Sequence, residues 1–391
     1  MMNFFNPKRL EVGANSFDRL GEFVKSIGGN KVLVIMDAFL ASPQMGLNKK
    51  VTNILSAAGL DVSIYSGIAN EPTFNNIAEG VDAAKKSKCD CIVALGGGSS
   101  IDSAKAVATL AVNPNLAFSD IPKEVNLKRL PLIAVPTTSG TGSEATRVSV
   151  ITNETTGIKE NPGHPALIPD IAVLDPQLSL TLPASLTAST GMDALTHAIE
   201  AFVSNKANSL SDLYAKEAIK IIGENLIKVF TDGNNLEQRQ KMSIASYLAG
   251  VAFSNASTNL AHAGGRALGA YFHIPHGLSV ALLLPFVMEF GLDVAEDRYA
   301  QVALLLGANP HLSQIELALE SIKIINDYNQ TLEIWNEAQT KYITDLATFR
   351  KAIPEMVDNS LSGNGILTNP RIPNKQDITL VFEKLAEKLS D

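Results

Sequence analysis

The chain has 391 residues, of which 46% are hydrophobic and 18% are charged, and its formal net charge is −8. This length suggests about two domains with sizeable cores, and the balance of residue types is that of an ordinary globular protein. Acidic and basic residues are interspersed. The sequence therefore has no basic patch that would favour nucleic acid or an anionic membrane surface as a partner.

The cysteines and the apolar runs predict a cytoplasmic protein. Cys89 and Cys91 are separated by one residue, which disfavours a disulfide and predicts two buried, reduced thiols. The N-terminal stretch has no apolar run of signal-peptide length. The longest apolar run, residues 278–288, contains Pro285 and is far shorter than the roughly 20 residues of a membrane span. It therefore predicts a buried helix.

The first half of the chain alternates strand-like and helix-like patterns. Such alternation predicts an α/β domain with a mostly parallel sheet covered by helices on both faces. The predicted strands are apolar, β-branched runs at 31–37, 61–67, 89–98, 130–138 and 170–176. The predicted helices have apolar residues at helical spacing and cover 48–59, 74–88 and 100–111.

The second half of the chain has helical periodicity and hardly any strand pattern. Its clearest helical segments are 182–202, 211–230, 236–253 and 375–389. We therefore expect a boundary just before Pro183, with an α/β domain over 1–182 and an all-helical domain over 183–391. A stretch rich in Gly, Asn and Ser at 358–370 predicts an irregular surface loop.

Two polar loops that follow predicted strands favour nucleotide binding. In LGGGSSIDSAKA (95–106), a strand runs into glycines and then a helix, so the backbone and the helix N-terminus can approach a diphosphate closely. In PTTSGTGSEAT (136–146), six of eleven residues carry hydroxyl groups. Either loop alone could be a capped turn or a solvated loop. Two of them at one edge of a parallel sheet lie where such sheets bind ligands.

Asp37 ends the first long predicted strand. A carboxylate there could accept both ribose hydroxyls of an adenosine and would repel a 2′-phosphate, which favours NAD over NADP. A helix-capping or turn aspartate explains the position equally well.

Four residues of the second half are candidate metal ligands. Asp193 and His197 stand at i and i+4, so they share one face of a predicted helix. His262 lies on another helical stretch, and Pro275 interrupts the chain so that His276 can turn back toward it. Three imidazoles and a carboxylate suit Fe²⁺, Zn²⁺, Mn²⁺ or Co²⁺ rather than Mg²⁺ or Ca²⁺. The alternative is that each is an ordinary hydrogen-bonded core residue.

Through these motifs the chain resembles the iron-containing, group III alcohol dehydrogenases. The resemblance extends over nearly the whole chain, from KVLVIMD through GMDALTHAIEAF and HIPHGLS to NPRIPNKQDI at 369–378. It implies a Rossmann-like nucleotide domain, a helical domain, and a cleft between them that holds NAD and a metal, iron or alternatively zinc. It also implies a homodimer or larger homo-oligomer that acts on small alcohols or aldehydes.

The resemblance also implies roles for individual residues. Asp37 would bind the adenosine ribose, and Lys159 would lie near a ribose of the cofactor. The metal ligands would be Asp193, His197, His262 and His276, of which His262 and His276 are also assigned as catalytic. The cofactor loops would contribute Gly97, Gly98, Ser99, Asp102, Thr137, Thr138, Thr141 and Ser143.

The chain departs from the family pattern at Arg266. Many members carry a second histidine four residues after the third ligand, whereas here, as in one branch of the family, an arginine stands there and FHIPHG follows. A proton-relay histidine cannot be assigned at this position. His273 is the nearest substitute, although a pocket-wall or surface histidine fits its position equally well. Phe253 and Phe272 are candidate pocket residues.

In the implied reaction, the metal activates the alcohol oxygen and a hydride passes to C4 of the nicotinamide. Sugar-phosphate cyclases of the dehydroquinate synthase type and glycerol-phosphate dehydrogenases share the two-domain plan. Both need basic residues beside the metal motif to bind a phosphate, and the helical half has few. A binding protein without activity is disfavoured because all four ligand positions carry competent residues.

Overall fold

The computed structural model of the protein describes residues 3–69, 71–363 and 365–390. Its contacts divide the chain into two compact units. The first contains the described residues up to Thr138 together with Gly142–Ser179, and the second contains Ser139–Thr141 and the described residues from Leu180 onward. The division therefore differs from a single boundary at 182, because the segment Ser139–Thr141 groups with the second unit, where Gly140 lies against Thr190.

In the described part of the chain, the first unit is built on a parallel sheet of six strands. These strands are β1 (Arg9–Val12), β2 (Lys31–Asp37), β3 (Asp61–Ile68), β4 (Cys91–Gly96), β5 (Leu132–Pro136) and β8 (Ile171–Leu174). Their order is β1-β8-β5-β4-β2-β3, and each neighbouring pair is parallel. A separate antiparallel hairpin consists of β6 (Ile151–Asn153) and β7 (Ile158–Glu160).

Helices cover both faces of this sheet. They are α1 (Leu20–Ser26), α2 (Ala38–Ala41), α3 (Leu47–Ala57), α4 (Phe74–Ser87) and α5 (Gly98–Leu110). On β2, Val32 and Val34 pack into an apolar cluster with α1 and α3, while Leu33 and Ile35 pack into another with α4 and α5. Because successive side chains of a strand point to opposite faces, a strand buried on both sides is apolar throughout.

The second unit is helical in the part that the structure describes. Its helices are α6 (Ala184–Val203), α7 (Ser209–Thr231), α8 (Leu236–Ala256), α9 (Leu260–Phe272), α10 (His276–Gly291), α11 (Glu296–Leu305), α12 (Gln314–Thr331), α13 (Ile334–Glu337), α14 (Leu346–Leu361) and α15 (Lys375–Lys388). A single large apolar cluster runs through it. The predicted fold class, an α/β domain followed by a helical domain, is confirmed.

Helix α10 is a core helix of the second unit. The segment His276–Val294 is long and apolar enough to pass a length-and-composition test for a membrane span, but 61% of its most apolar window is buried inside the protein. It packs against α6, α9, α12 and α15. The prediction of a buried helix over 278–288 is confirmed.

The structure differs from the sequence-based expectations in the stretch 358–370 and in three short strands. The stretch 358–370 is not an irregular surface loop throughout, because residues 358–361 complete α14 and Thr368 and Asn369 are buried. Asn369 uses its side-chain oxygen to accept a hydrogen bond from the Leu260 backbone at the start of α9. Asn364 lies outside the described residues. The sequence pattern also missed β1 and the β6–β7 hairpin, whose strands of three or four residues are too short to show periodicity.

Candidate metal centre and cofactor loops

Helix α6 carries two of the predicted ligands into the core of the second unit. Between Gly191 and Val203 every residue of α6 is buried, including Asp193 and His197. Their side chains face the same way, and His197 Nδ1 lies 3.8 Å from Asp193 Oδ1. A carboxylate this deep in a helical core needs a positive partner, because burial of an isolated charge is costly.

The turn between α9 and α10 brings the other two predicted ligands to Asp193. Helix α9 ends at Phe272, His273 adopts a left-handed backbone with φ of 55°, and α10 begins at His276 directly after Pro275. His262 Nε2 then lies 3.4 Å and His276 Nε2 3.8 Å from Asp193 Oδ1. One ligand atom from each of these three residues lies within 4.8 Å of the other two. Three of the four predicted ligands therefore converge, and His197, which is not one of these three, adjoins them through its contact with Asp193.

The polar atoms at this point fit a metal cation. Asp193 Oδ1, His197 Nδ1 and His262 Nε2 are buried and have no hydrogen-bond partner among the described residues. Buried polar atoms are nearly always paired, so a group of unpaired oxygen and nitrogen atoms facing one another fits a cation between them. The rings of His197 and His262 stack with their centroids 4.2 Å apart. Imidazole nitrogens with one carboxylate oxygen are the donors preferred by divalent iron and zinc.

The two buried histidines of the cluster have pKa values that are shifted in opposite directions. Burial lowers the pKa of His197 to about 4, although Asp193 opposes this. Burial also lowers the pKa of His262, but Glu200 and Asp193 outweigh it and raise the pKa to about 9. Burial would raise the pKa of Asp193, yet the neighbouring histidines lower it well below its usual range. These shifts favour a charged Asp193 and a neutral His197 at pH 7.

Glu200 belongs to this centre and was missed by the sequence reasoning. It lies on α6, is almost fully buried, and its Oε2 atom is 2.6 Å from His262 Nδ1. Ligand histidines usually have such a partner, but its position in the sequence could not be assigned. The available signal was a glutamate seven residues after Asp193, on the same helix face, within an otherwise apolar stretch.

His273 and the predicted pocket residues lie in different surroundings. His273 is an exposed residue in the turn after α9 and is not one of the residues that converge on Asp193. Its proposed relay role stays a prediction. Phe253 stacks on His197 with ring centroids 4.1 Å apart, so it covers one side of the centre. Phe272 instead stacks on Phe349 in the helical core.

The first cofactor loop has the backbone that the glycine motif predicts. Gly96 has φ of 148°, and a Cβ atom there would collide with Ser100, so glycine is required at this residue. Gly97 precedes α5 as its N-cap without a side-chain cap, and Gly97, Gly98 and Ser99 are partly accessible. The first amides of α5 are thus available to an anion at the carboxyl end of β4.

Asp102 and Ser143 are joined by a hydrogen bond, and their cofactor roles stay predictions. Asp102 Oδ1 accepts hydrogen bonds from Ser143 Oγ at 2.5 Å and from Lys105 Nζ at 3.1 Å, and its Oδ2 accepts from the Val150 backbone. Lys105 is fully buried and also donates to Thr146 Oγ1. This lysine network joins α5 to the second polar loop. It was not predicted, because a buried lysine has no sequence signature.

The remaining predicted cofactor residues have these positions. Asp37 ends β2 and caps α2, with its Oδ1 accepting from Leu40 N at 2.9 Å. Lys159 on β7 forms an ion pair with Glu71. Thr137 is buried and Thr138 partly buried directly after β5, while Thr141 groups with the second unit. Their cofactor roles stay predictions.

An α/β unit with a glycine turn after a central strand, followed by a helical unit with a carboxylate–histidine centre, is the arrangement of a metal-dependent dehydrogenase. Residues 7–176 match the sequence model of the iron-containing alcohol dehydrogenases, and residues 187–386 match that of the C-terminal domain of the Fe-containing alcohol dehydrogenase family. The chain belongs to the iron-containing alcohol dehydrogenase family. The predicted family and reaction class are confirmed.

Similar proteins cover the chain almost end to end. An NAD-dependent methanol dehydrogenase of Bacillus methanolicus is 35% identical, over 98% of this chain and 99% of the relative. A 1,3-propanediol dehydrogenase of Klebsiella pneumoniae is 34% identical, over 98% of this chain and 96% of its own length. The solved structure of an alcohol dehydrogenase from Oenococcus oeni superposes with a TM-score of 0.93 at 34% identity, covering 98% of this chain and 100% of the neighbour.

The replacement Gly277→Ala should weaken the binding of a divalent metal. A Cβ atom at residue 277 would overlap the Ser189 carbonyl oxygen on α6 and lie 3.3 Å from the Asp193 Cβ. The start of α10 must then move away from α6 and take His276 with it. We expect metal affinity to fall about 10-fold or more, measured by competition with a chelator. The control is Gly163→Ala, whose added Cβ would have 3.6 Å to its nearest neighbour. Wild-type affinity in the Gly277 variant would contradict this account.

The replacement Glu144→Gln should stabilise the protein more at pH 8 than at pH 5. Burial raises the pKa of Glu144 to about 7, although Lys105 opposes this. An unfolded glutamate has a pKa of about 4.3, so between these values the folded protein holds a proton that the unfolded chain has lost. Stability therefore falls with rising pH across this window, by at most about 1.4 kcal/mol per pH unit.

The measurement is the difference in Tm between the Glu144 variant and wild type at the two pH values. Above pH 7 the wild type buries a carboxylate that glutamine replaces with a neutral amide, whereas at pH 5 both side chains are neutral in the folded state. The control is Glu124→Gln, because Glu124 is exposed. An equal Tm difference at both pH values would refute the buried-acid interpretation.

Proposed function

We propose that the protein is an NAD(H)-linked alcohol dehydrogenase and aldehyde reductase for small primary alcohols or diols. A divalent metal, iron first and zinc as the alternative, is held by Asp193, His197, His262 and His276. The observation that carries this proposal is that ligand atoms of Asp193, His262 and His276, from three separate helices, lie within 4.8 Å of one another. Asp193 Oδ1, His197 Nδ1 and His262 Nε2 are also buried without a hydrogen-bond partner among the described residues. Family membership and the NAD-dependent methanol dehydrogenase among its relatives support the choice of reaction and cofactor.

In this proposal the α/β unit binds the cofactor and the helical unit binds the metal. The α/β unit binds the dinucleotide through the glycine turn at the start of α5, with Asp37 on the adenosine ribose. The helical unit holds the metal and is the catalytic unit. When bound, the metal supplies a Lewis acid that polarises the oxygen of the alcohol or aldehyde. The nicotinamide, when bound, accepts or returns the hydride.

The protein's own residues prepare the centre for this chemistry. Asp193, His197 and His262 have side chains that are 3–6% exposed, whereas the side chain of His276 is 36% exposed, so substrate reaches the centre from the side of His276. Phe253 covers the His197 ring and excludes water from that side. Because the pKa of His197 is lowered to about 4, its ring is neutral at pH 7 and offers a lone pair rather than a proton.

The substrate class is inferred from the relatives. The methanol, 1,3-propanediol and butanol dehydrogenases among them favour short primary alcohols and diols as substrates for this chain. A cytoplasmic location, a homodimer or larger homo-oligomer, and the absence of nucleic-acid and membrane partners stay predictions from the sequence.

Replacing either His262 or His276 with alanine should abolish the metal-dependent activity. Each change removes a ligand, so we expect metal content and NADH formation with short primary alcohols to fall by at least about 100-fold. The assay uses protein reconstituted with Fe²⁺ or with Zn²⁺, which also identifies the more active metal. His311→Ala is the control, because His311 is an exposed histidine of the same unit. Full turnover in both ligand variants would refute the proposed centre.

Replacing Asp37 should weaken the preference for NAD over NADP. In Asp37→Gly we expect the NAD/NADP ratio of kcat/KM to fall at least about tenfold, because the carboxylate no longer repels a 2′-phosphate. Since Asp37 also caps α2, Asp37→Asn is the matched variant that keeps a capping oxygen and loses only the charge. An unchanged ratio in both variants would mean that Asp37 is only a helix cap.

A further inference from the structure

Resting on the proposed metal centre, we propose that Glu200 is a positioning residue that fixes the tautomer and orientation of His262 for the metal while it also caps helix α9. The catalytic ligand and the start of the helix that carries it are thereby held by one carboxylate on α6. Metal affinity then depends on a residue that is not itself a ligand.

The contacts of Glu200 use both of its carboxylate oxygens. Oε1 accepts a hydrogen bond from the Ala261 backbone at 2.7 Å. Oε2 accepts one from the Asn259 backbone at 2.9 Å and one from His262 Nδ1 at 2.6 Å. Three donors give both oxygens of the buried carboxylate a hydrogen-bond partner and stabilise its charge. Glu200 is therefore anchored in one orientation.

Glu200 takes the place of the missing side-chain cap of α9. The N-cap residue, Asn259, makes no capping bond of its own, and its side-chain amide instead donates to the Glu200 backbone oxygen at 2.8 Å. The carboxylate meets the first free amides of α9, where negative charge is favoured by the helix dipole. The position at which α9 begins is therefore fixed by the contact of its first amides with Glu200 on α6.

This contact determines which nitrogen of His262 faces the centre. A carboxylate only accepts, so Nδ1 must carry the proton that it donates to Oε2. In the neutral ring the lone pair is then on Nε2, the atom that lies 3.4 Å from Asp193 Oδ1 and has no hydrogen-bond partner among the described residues. Without Glu200 the ring could rotate or adopt the other tautomer, and Nε2 would no longer be presented to a metal.

The spacing on α6 makes the arrangement rigid. Asp193, His197 and Glu200 stand at i, i+4 and i+7, so one face of one helix carries two ligands and the positioning carboxylate. Arg266, one turn beyond His262 on α9, lies within the electrostatic reach of Glu200, which opposes the lowering of its pKa by burial. The guanidinium therefore offsets part of the charge that Glu200 brings into the core.

The test compares metal binding and folding in matched variants of the full chain. Glu200→Ala removes all three contacts, and Glu200→Gln keeps the shape and an oxygen for His262 but loses the charge. Asn369→Ala is the control, because Asn369 caps the neighbouring amide of Leu260 at 3.2 Å while its side-chain amide donates to the Arg371 backbone oxygen. Each metal-free protein is titrated with Co²⁺ and with Zn²⁺ against a chelator, and its Tm is measured without metal.

We expect Glu200→Ala to lower the affinity for both ions about 10- to 100-fold and to alter the visible absorption spectrum of the Co²⁺ form, with Glu200→Gln intermediate. Asn369→Ala should lower the Tm and leave affinity and spectrum at wild-type values. If both alanine variants lose affinity in step with Tm, Glu200 is only a helix cap and the proposal fails. The proposal also fails if Glu200→Ala binds Co²⁺ with wild-type affinity. If Glu200→Ala does not fold, the same criterion applies to Glu200→Gln.

Failure of the metal centre itself gives a different result. If the wild-type protein binds neither ion, or if His262→Ala binds them as tightly as wild type does, then the proposed function is wrong. If wild type binds and His262→Ala does not, while the Glu200 variants bind normally, only the role of Glu200 is wrong.

Discussion

The burial of Asp193 is the constraint on which the helical unit depends. The Asp193 side chain is 3% exposed, and the helix that carries it, α6, is surrounded by apolar residues. A lone carboxylate there costs several kcal/mol unless positive charge or hydrogen bonds compensate it. Histidines from α6, α9 and α10 approach it, and the close contact at Gly277 lets α10 come near enough for His276 to take part. The packing of three helices is thus tied to one charge.

Much of the fold follows from the hydrophobic pattern. The run KVLVIMD predicts β2 at 31–37, and the structure has the strand at Lys31–Asp37. Its continuous burial is what distinguishes a central parallel strand from the alternating pattern of a strand with one exposed face. The short strand β1 could not be found in this way, because its pairing with β8 depends on a neighbour more than 150 residues away and not on local sequence.

The sequence could predict only those site residues whose type and spacing indicate a function without knowledge of the fold. Histidine and aspartate at helical spacing indicate a ligand pair, and the break at Pro275 indicates how His276 returns. A buried glutamate or lysine carries no such mark. Glu200 becomes informative only once α9 is seen to begin against it, and Lys105 only once two loops meet around its ammonium group. Their roles come from tertiary contacts, which a local pattern does not encode.

The ring of His262 lies between two carboxylates, with Nε2 toward Asp193 and Nδ1 toward Glu200. The two negative charges on one side of α6 offset positive charge of a divalent cation, which lowers the cost of burying the ion. The same pair of carboxylates raises the pKa of His262 to about 9, so a proton competes with a metal ion for His262 Nε2. Metal binding must displace that proton, and a partner on Nδ1 ensures that the proton displaced is the one on Nε2. The carboxylate that makes the imidazole more basic therefore also makes it a better ligand, which links affinity, orientation and charge in one contact.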